Sequence, residues 1–210
     1  MRNFAIDGKS ISVFSDVKAG YPIIYLNTFS SEGQKVFEAA QAAGYLPFTL
    51  VAISDLDWNH DMAPWDSPVA FKKGDPFTGG ADDYLRLLVE EIIQEAEKEL
   101  LGPPAWRGIA GYSLAGLFAL CAVYQTDVFS QVGCMSGSLW FPGFKEYVFF
   151  HDLRHTFATV ALQSGVDVKT VSAMLGHYDA GFTLRTYTHT NRRMQEKAAE
   201  KMGNFMAQVL

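Results

Sequence analysis

A glycine-rich turn between two apolar segments places the strongest limit on the fold of this chain. Residues 106–111 have the pattern of a buried strand, residues 114–124 that of an apolar helix, and Ser113 stands between them in the run GIAGYSLAG. Small residues on both sides of a serine allow a strand and a helix to approach closely, so that the hydroxyl projects from the backbone. The pattern is typical of a nucleophilic serine and also of an ordinary glycine-rich turn in an α/β domain.

Strand and helix patterns alternate on both sides of this turn. Residues 4–14 alternate around Asp7-Gly8-Lys9, which predicts a hairpin, and the apolar runs 21–26 and 48–53 predict strands buried on both faces. A further strand is expected at 131–135, and helices at 34–43 and 81–101. Residues 54–80 are predicted to form a long loop. The order predicts an α/β fold with a mainly parallel sheet and helices on both faces.

The alternation of strands and helices ends near residue 148. From His151 onward every segment has a helical pattern, and helices are expected at 151–164, 168–176, 182–188 and 190–208. We therefore divide the chain into an α/β domain, residues 1–148, and an all-α tail, residues 149–210.

The charge is unevenly divided between these two parts. The chain contains 17 Lys and Arg residues and 23 Asp and Glu residues. The tail carries 7 of the basic and 5 of the acidic residues, a net charge of +2. The first 148 residues therefore carry 10 (17 − 7) and 18 (23 − 5), a net charge of −8. Proteins that bind nucleic acids contact phosphates with an excess of Lys and Arg, so we do not expect nucleic acid as a partner.

The cysteines and the apolar runs bear on the cellular setting. Cys121 and Cys134 both stand in apolar context, which predicts buried free thiols and a reducing compartment. The amino terminus runs straight into a strand pattern without a signal peptide, and no apolar run approaches the ~18–20 residues of a membrane span. We expect a cytoplasmic protein without a membrane partner. Asp57, His60 and Asp61 lack a further matched ligand, so we expect no metal and no cofactor.

A serine that cleaves esters needs a base and backbone N–H groups directed at the developing oxyanion. The N–H of Leu114 lies at the start of the helix that follows Ser113. A second donor is expected from the loop after the strand at 21–26, with Phe29 or Thr28 as candidates, because that loop leaves the same carboxyl edge of the sheet. Ser113, Leu114, Phe29 and Thr28 thus form the predicted core of the site.

Six separated motifs, all in the same order, resemble those of the esterases related to enterochelin esterase, in the α/β-hydrolase superfamily. They are YLNT at 25–28, LVAIS at 50–54, DWNHDM at 57–62, GGAD at 79–82, IAGYSLAG at 109–116 and MSGSLWF at 135–141. The resemblance covers about residues 1–148 and implies a serine carboxylesterase for small soluble esters with Ser113 as nucleophile. In that family the acid and the histidine follow the serine on later strands, and here the matching part ends first, so the hydrolase fold is truncated.

The tail carries a second resemblance, to the carboxyl-terminal end of the tyrosine recombinases, the phage integrase family. It covers about residues 149–203 and includes an HxxR box with His151 and Arg154, an LGH motif with His177, and Tyr187. The resemblance implies phosphate contacts for His151 and Arg154, the histidine of the LGH motif in His177, and a nucleophile in Tyr187. The arginine and lysine that this family places upstream would fall in the esterase-like part, so we expect no recombinase activity. The chain is thus an apparent chimera.

The tail also contains the candidates for the missing base. His177 is the first choice, because it follows a helix end and resembles the turn where the esterase family places its histidine. His151 and His155 are alternatives, and Asp167 or Asp179 is expected to orient the imidazole. A chain without a working triad is the remaining alternative.

Two structural alternatives accompany the catalytic hypothesis. The loop 55–65 either lines a substrate pocket with Trp58 and Trp65 or is held together by its own side-chain hydrogen bonds. His60 of this loop precedes the serine in the sequence, so we do not expect it to act as the base. A catalytically inactive hydrolase fold is the competing hypothesis, with a tail that serves oligomerisation or binds a partner. Since a truncated sheet exposes an edge and an apolar face, we expect a dimer or higher homo-oligomer.

Overall fold

A computed structural model describes residues 1–15, 20–44, 47–68, 74–100 and 102–175, with the backbone alone for 150–156 and 163. His177, Asp179 and Tyr187 lie outside these residues, as do the predicted helices 182–188 and 190–208. The chain divides into two compact units, residues 1–142 and 143–210. The junction between the units therefore precedes residue 148, where the sequence pattern changes.

The first unit is built on a six-stranded sheet. Its strands are β1 (Arg2–Ile6), β2 (Lys9–Ser15), β3 (Ile23–Asn27), β4 (Thr49–Ser54), β7 (Arg107–Tyr112) and β8 (Gln131–Met135). They lie in the order β1-β2-β4-β3-β7-β8. The last four are parallel to one another, while β1, β2 and β4 pair antiparallel. The predicted mainly parallel α/β sheet is confirmed, and β7, which leads to Ser113, lies inside it.

The predicted hairpin at the amino terminus is confirmed as β1 and β2. Ile6 pairs with Lys9, so the two strands are joined by a two-residue loop. Asp7 and Gly8 have φ of 48° and 73°, the left-handed pair that matches the twist of a tight hairpin.

Helices cover both faces of the sheet, as the sequence pattern predicts. They are α1 (Gly33–Ala42), α2 (Trp58–Asp61), α3 (Ala81–Leu87), a π-helical turn (Leu88–Ile92), α4 (Ile93–Glu97) and α5 (Leu114–Gln125). Phe37 of α1 packs on Leu26 and Leu50 on one face. On the other face, Tyr25 donates a hydrogen bond to Glu97 at the end of α4, at 2.8 Å. Successive side chains of β3 thus point to opposite helical layers.

The face that carries α1 is only partly covered. An apolar groove of about 490 Å³ runs along it, and its lining includes Ile24, Leu26 and Leu50 of the sheet and Val36 of α1. Met135, at the end of β8, also borders the groove.

Two predictions for the first unit need correction. The expected loop at 54–80 contains the helix α2 and a small hairpin of β5 (Asp66–Ser67) and β6 (Phe77–Thr78). Elements of two to four residues carry too little periodicity to be recognised. The helix expected at 81–101 ends at Glu97 and contains the π-helical turn, although its apolar residues Leu88 and Ile92 are fully buried as predicted.

In the second unit, α6 (Phe144–Gln163) and α7 (Val168–Leu175) form a helical hairpin. Ala158 and Leu162 of α6 pack against Val171 and Leu175 of α7. The helix α6 begins earlier than the predicted residue 151, directly after Gly143 in the left-handed region. The sequence analysis assigned no element to residues 144–150, because the short apolar run at 147–150 does not distinguish a strand from a helix.

The two cysteines are free, as predicted, but only Cys121 is buried. Its burial, together with Asp82, raises the pKa of the Cys121 thiol to about 12. Cys134 is half-buried and lies on β8, one of the two outermost strands of the sheet among the described residues. Within the described part of the chain, no helix is both long enough and apolar enough to cross a membrane.

Candidate active site

The turn between β7 and α5 holds Ser113 in an unusual backbone conformation. Its φ is 56° and its ψ is −118°, outside the regions that residues with a Cβ normally adopt. The Ser113 N–H donates to the carbonyl of Met135 at 3.0 Å, and the Ser113 carbonyl accepts from the N–H groups of Ser138 at 3.0 Å and Gly116 at 3.1 Å. Hydrogen bonds from two neighbouring segments thus fix the position from which the hydroxyl projects.

Glycines beside Ser113 let α5 pack closely against β7. A Cβ on Gly111 would lie 2.4 Å from the carbonyl carbon and oxygen of Ala115, and a Cβ on Gly116 would lie 3.0 Å from the carbonyl oxygen of Gly111. The first distance is a severe clash with backbone, so the turn requires glycine at position 111. The predicted strand–turn–helix unit therefore forms with the tight packing that its sequence indicates.

Backbone N–H groups near Ser113 differ in their availability for an oxyanion. Leu114 is the first residue of α5, and the first N–H groups of a helix have no partner within the helix. Thr28 donates its N–H to the carbonyl of Ile53 at 2.9 Å, and its hydroxyl donates to the same oxygen at 2.9 Å. The Thr28 N–H is thus already engaged, which leaves Phe29 as the remaining candidate of the two predicted loop donors.

The hydroxyl of Ser113 lies 3.2 Å from the hydroxyl of Ser138. Ser138 is buried, with 3% of its surface exposed. From the sequence, Ser138 is expected to form the turn at the end of a strand and to line the pocket, without a contact to the nucleophile. Because β7 and β8 are adjacent and parallel, the residues that follow the two strands meet at one edge of the sheet. The position of Ser138 directly after a predicted strand was therefore the signal that could have pointed to this contact.

The predicted bases have no described contact with Ser113. His60, the histidine whose side chain is described, has its Nδ1 2.8 Å from the hydroxyl of Thr78. His151 and His155 lie in α6, where the backbone alone is described, and His177 lies outside the described residues. The carboxylate of Asp167 accepts the Thr170 N–H at 3.0 Å at the start of α7. Hydrogen bonds from Thr170 lower the pKa of Asp167, which acts here as a helix cap.

A buried ion pair anchors the loop that carries His60. Lys9 Nζ lies 3.2 Å from Asp61 Oδ2, and the Asp57 N–H donates to the same oxygen at 2.9 Å. Both side chains of the ion pair are nearly inaccessible to solvent. Among the described residues, no group of three His, Cys, Asp or Glu side chains is placed to hold a metal ion.

The two tryptophans of this loop contact other aromatic rings. Trp58 meets the exposed Phe29 edge-on, with ring centroids 5.2 Å apart. Trp65 packs on Phe141 at 5.7 Å and donates its indole N–H to the carbonyl of Pro142 at 2.7 Å. These contacts hold the loop against neighbouring segments, and through Trp58 the loop supports Phe29, the residue that carries the second candidate oxyanion donor.

A polar contact under this edge of the sheet was missed entirely by the sequence analysis. The hydroxyl of Tyr84 donates to Asn27 Oδ1 at the carboxyl end of β3. Burial, together with Asp61, raises the pKa of Tyr84 well above its usual value, so the phenol stays protonated and remains a donor. Asn27 Nδ2 has no partner among the described residues.

Sequence comparison finds relatives of two kinds. The model of the phage integrase family matches residues 135–194. The XerC-like tyrosine recombinase of Caldanaerobacter subterraneus is 40% identical over 55 residues, which are 26% of this chain and 14% of that protein. The protein YbbA of Bacillus subtilis is 26% identical over 159 residues, which are 72% of this chain and 64% of that protein. The chain thus spans less than two thirds of the length of these relatives.

Solved structures share the fold of the larger segment. The BES protein from Bacillus cereus has a TM-score of 0.60 and 21% identity, covering 74% of this chain and 70% of its own. An IroE-like serine hydrolase from Shewanella oneidensis has a TM-score of 0.55 and 22% identity, covering 70% of this chain and 51% of its own. Identities at this level show the fold.

Both resemblances seen in the sequence are therefore confirmed. The structural neighbours have the α/β serine hydrolase fold, while the integrase match begins at Met135, the last residue of β8. The chain joins an esterase-like segment with an α/β-hydrolase fold to a segment similar to the carboxyl-terminal end of the tyrosine recombinases.

Proposed function

We propose that this protein is a serine carboxylesterase that hydrolyses small soluble esters, with Ser113 as nucleophile. The observation that carries the proposal is the backbone of Ser113, held at φ 56° between a parallel strand and a helix N-terminus. A serine in this position presents its hydroxyl beside unpaired helix N–H groups, as acyl transfer requires.

In the proposed reaction, Ser113 Oγ attacks the ester carbonyl and its proton passes to a histidine. The N–H groups of Leu114 and Phe29 stabilise the oxyanion, and the alcohol leaves with the proton from the histidine. Water then hydrolyses the acyl-enzyme by the same steps. His177 is the proposed base, with His151 and His155 as alternatives in the tail, and the reaction needs no cofactor.

The test of the nucleophile compares hydrolysis of short p-nitrophenyl esters by wild type, Ser113→Ala and Ser67→Ala. Ser67 is a buried serine whose hydroxyl has no described partner, so its variant is a matched control. We expect Ser113→Ala to lose at least about a hundredfold in rate and Ser67→Ala to retain the wild-type rate. Equal rates for wild type and Ser113→Ala would show that the chain is not a serine esterase.

The base is assigned by the same assay with His177→Ala, His151→Ala and His155→Ala. Loss of the base costs about as much as loss of the nucleophile, because both act as one unit. Full activity in His177→Ala with loss in another variant would move the assignment to that histidine and leave Ser113 unaffected.

The second candidate function is an inactive hydrolase fold that forms a homo-oligomer or binds a partner through its tail. It is favoured by β8, an edge strand with Val132 and Met135 exposed, and by the apolar groove that Met135 borders. The tail's net charge of +2, from 7 basic and 5 acidic residues, gives little support for nucleic-acid binding.

A cytoplasmic setting is proposed because both cysteines are free thiols, as is usual in a reducing compartment.

A further inference from the structure

Ser138 stands in a distinctive relation to the candidate nucleophile. It follows β8 at the carboxyl edge of the sheet, and two of its polar groups meet Ser113. Its N–H donates to the Ser113 carbonyl at 3.0 Å, and its hydroxyl lies 3.2 Å from Ser113 Oγ. The two residues are 25 positions apart in the sequence, so the contact exists only because β7 and β8 are adjacent.

The Ser138 hydroxyl has limited freedom to bond elsewhere. The residue is 3% exposed, and within the part of the chain whose side chains are described its hydroxyl meets Ser113 Oγ alone. A buried hydroxyl is costly without a partner, so the burial of Ser138 favours retention of this hydrogen bond. The bond in turn restricts the rotamers of the Ser113 side chain.

We propose that Ser138 is a positioning residue for ester hydrolysis: its hydroxyl donates to Ser113 Oγ, holds it in one rotamer and leaves the Ser113 proton directed to the base. The inference rests on the proposed function of Ser113. During attack the Oγ–carbon bond forms, the Ser113 proton moves to the base and the carbonyl electron pair moves to oxygen. Ser138 keeps its own proton throughout and acts by holding Oγ in the orientation from which it attacks.

A purely structural role for Ser138 would have a different signature. Its backbone hydrogen bond to the Ser113 carbonyl does not involve the side chain, so Ser138→Ala retains it. That variant removes one oxygen atom and is unlike a large-to-small core substitution. Ser67→Ala makes the same chemical change at a serine that is 5% exposed and has no described hydroxyl partner.

The experiment measures the saturable reaction of the purified full chain with a fluorophosphonate, which modifies activated serines covalently. Wild type, Ser113→Ala, Ser138→Ala, Ser138→Thr and Ser67→Ala are compared, and thermal unfolding of each is recorded. We expect Ser138→Ala to lower the maximal labelling rate roughly three- to tenfold, the effect of one lost hydrogen bond, at an unchanged half-saturating concentration. Ser138→Thr, which retains a hydroxyl, restores at least part of the rate, and Ser67→Ala matches wild type.

Three outcomes would overturn the inference. If Ser113→Ala abolishes labelling while Ser138→Ala is labelled at the wild-type rate, Ser138 has no positioning role and Ser113 remains the nucleophile. A wild type that does not react at all would overturn the proposed function together with this inference. A lower thermal midpoint for Ser138→Ala at an unchanged labelling rate would assign Ser138 to stability alone.

Discussion

At the residue scale, one backbone conformation determines what the Ser113 side chain can do. The angles of Ser113 are unfavourable for any residue with a Cβ. They persist because the Ser113 N–H donates to the Met135 carbonyl and the Ser113 carbonyl accepts from the Ser138 N–H. Gly111 completes the arrangement by letting Ala115 approach to a distance at which a side chain would clash. The nucleophile hypothesis thus depends on close packing at a neighbouring glycine.

Gly111→Ala tests this dependence. Its Cβ would lie 2.4 Å from the backbone of Ala115, so either α5 must shift or the turn must open. We expect the free energy of unfolding to fall by about 1–3 kcal/mol, as for other overpacked sites, and labelling of Ser113 by a fluorophosphonate to slow. Gly102→Ala is the matched control, because its Cβ would meet nothing within 4 Å. Equal stability of the two variants in urea unfolding would contradict the packing argument.

At the scale of elements, a buried ion pair joins the hairpin β1–β2 to the short helix α2. Lys9 begins β2 and Asp61 ends α2, and the pair lies beside the ring of Tyr84, 5.6 Å from Lys9 Nζ. A helix of four residues has little stability of its own, so this tertiary contact determines where α2 lies. Because α2 carries Trp58, which packs on Phe29, the ion pair also supports the candidate oxyanion loop.

Asp61→Asn should be strongly destabilising, because it leaves the buried Lys9 ammonium without a counter-charge. We expect a loss of about 3–5 kcal/mol in the free energy of unfolding, measured in urea. The double variant Lys9→Met, Asp61→Asn should be less destabilised than Asp61→Asn, since no charge then remains unpaired. Asp83→Asn breaks the exposed pair with Arg86, which has the similar distance of 3.1 Å, and should cost less than about 1 kcal/mol. Similar losses at the two sites would argue against a special role of burial.

At the scale of the whole molecule, β8 forms one edge of the sheet and has no partner strand on its outer side among the described residues. The strand is QVGCM, without a charged residue to oppose pairing with another strand. Two copies related by a two-fold axis could pair their β8 strands antiparallel and form one continuous sheet. This geometry is the form of homo-oligomer that we propose.

Val132→Lys tests the proposed pairing, since Val132 is 42% exposed on β8 and the substitution brings like charges together across the two-fold axis. We expect a wild-type dimer in sedimentation velocity at micromolar concentration and a dissociation constant for Val132→Lys raised at least about tenfold. Val36→Lys, on α1 and equally exposed at 42%, places the same charge in the apolar groove and tests whether the groove forms the interface instead. A monomeric wild type, or dissociation by Val36→Lys alone, would exclude the β8 edge as the interface.

The sequence alone determined the six strands of the main sheet, most helices, the Ser113 turn and both family resemblances. These features depend on local periodicity, on glycine spacing and on contiguous motifs, all of which are visible along the chain. The short elements α2, β5 and β6 and the early start of α6 were missed because their local patterns are weak or ambiguous.

Only the tertiary structure decided which side chains meet. Ser138 reaches Ser113 across 25 residues and Tyr84 reaches Asn27 across 57, while Ile53 occupies the Thr28 N–H that the sequence analysis had offered to an oxyanion. The first and the third of these contacts follow from the strand order β4-β3-β7-β8, and the second from the position of α3 beside β3. Strand order and register are set by packing between distant segments, so no local pattern in the sequence encodes them.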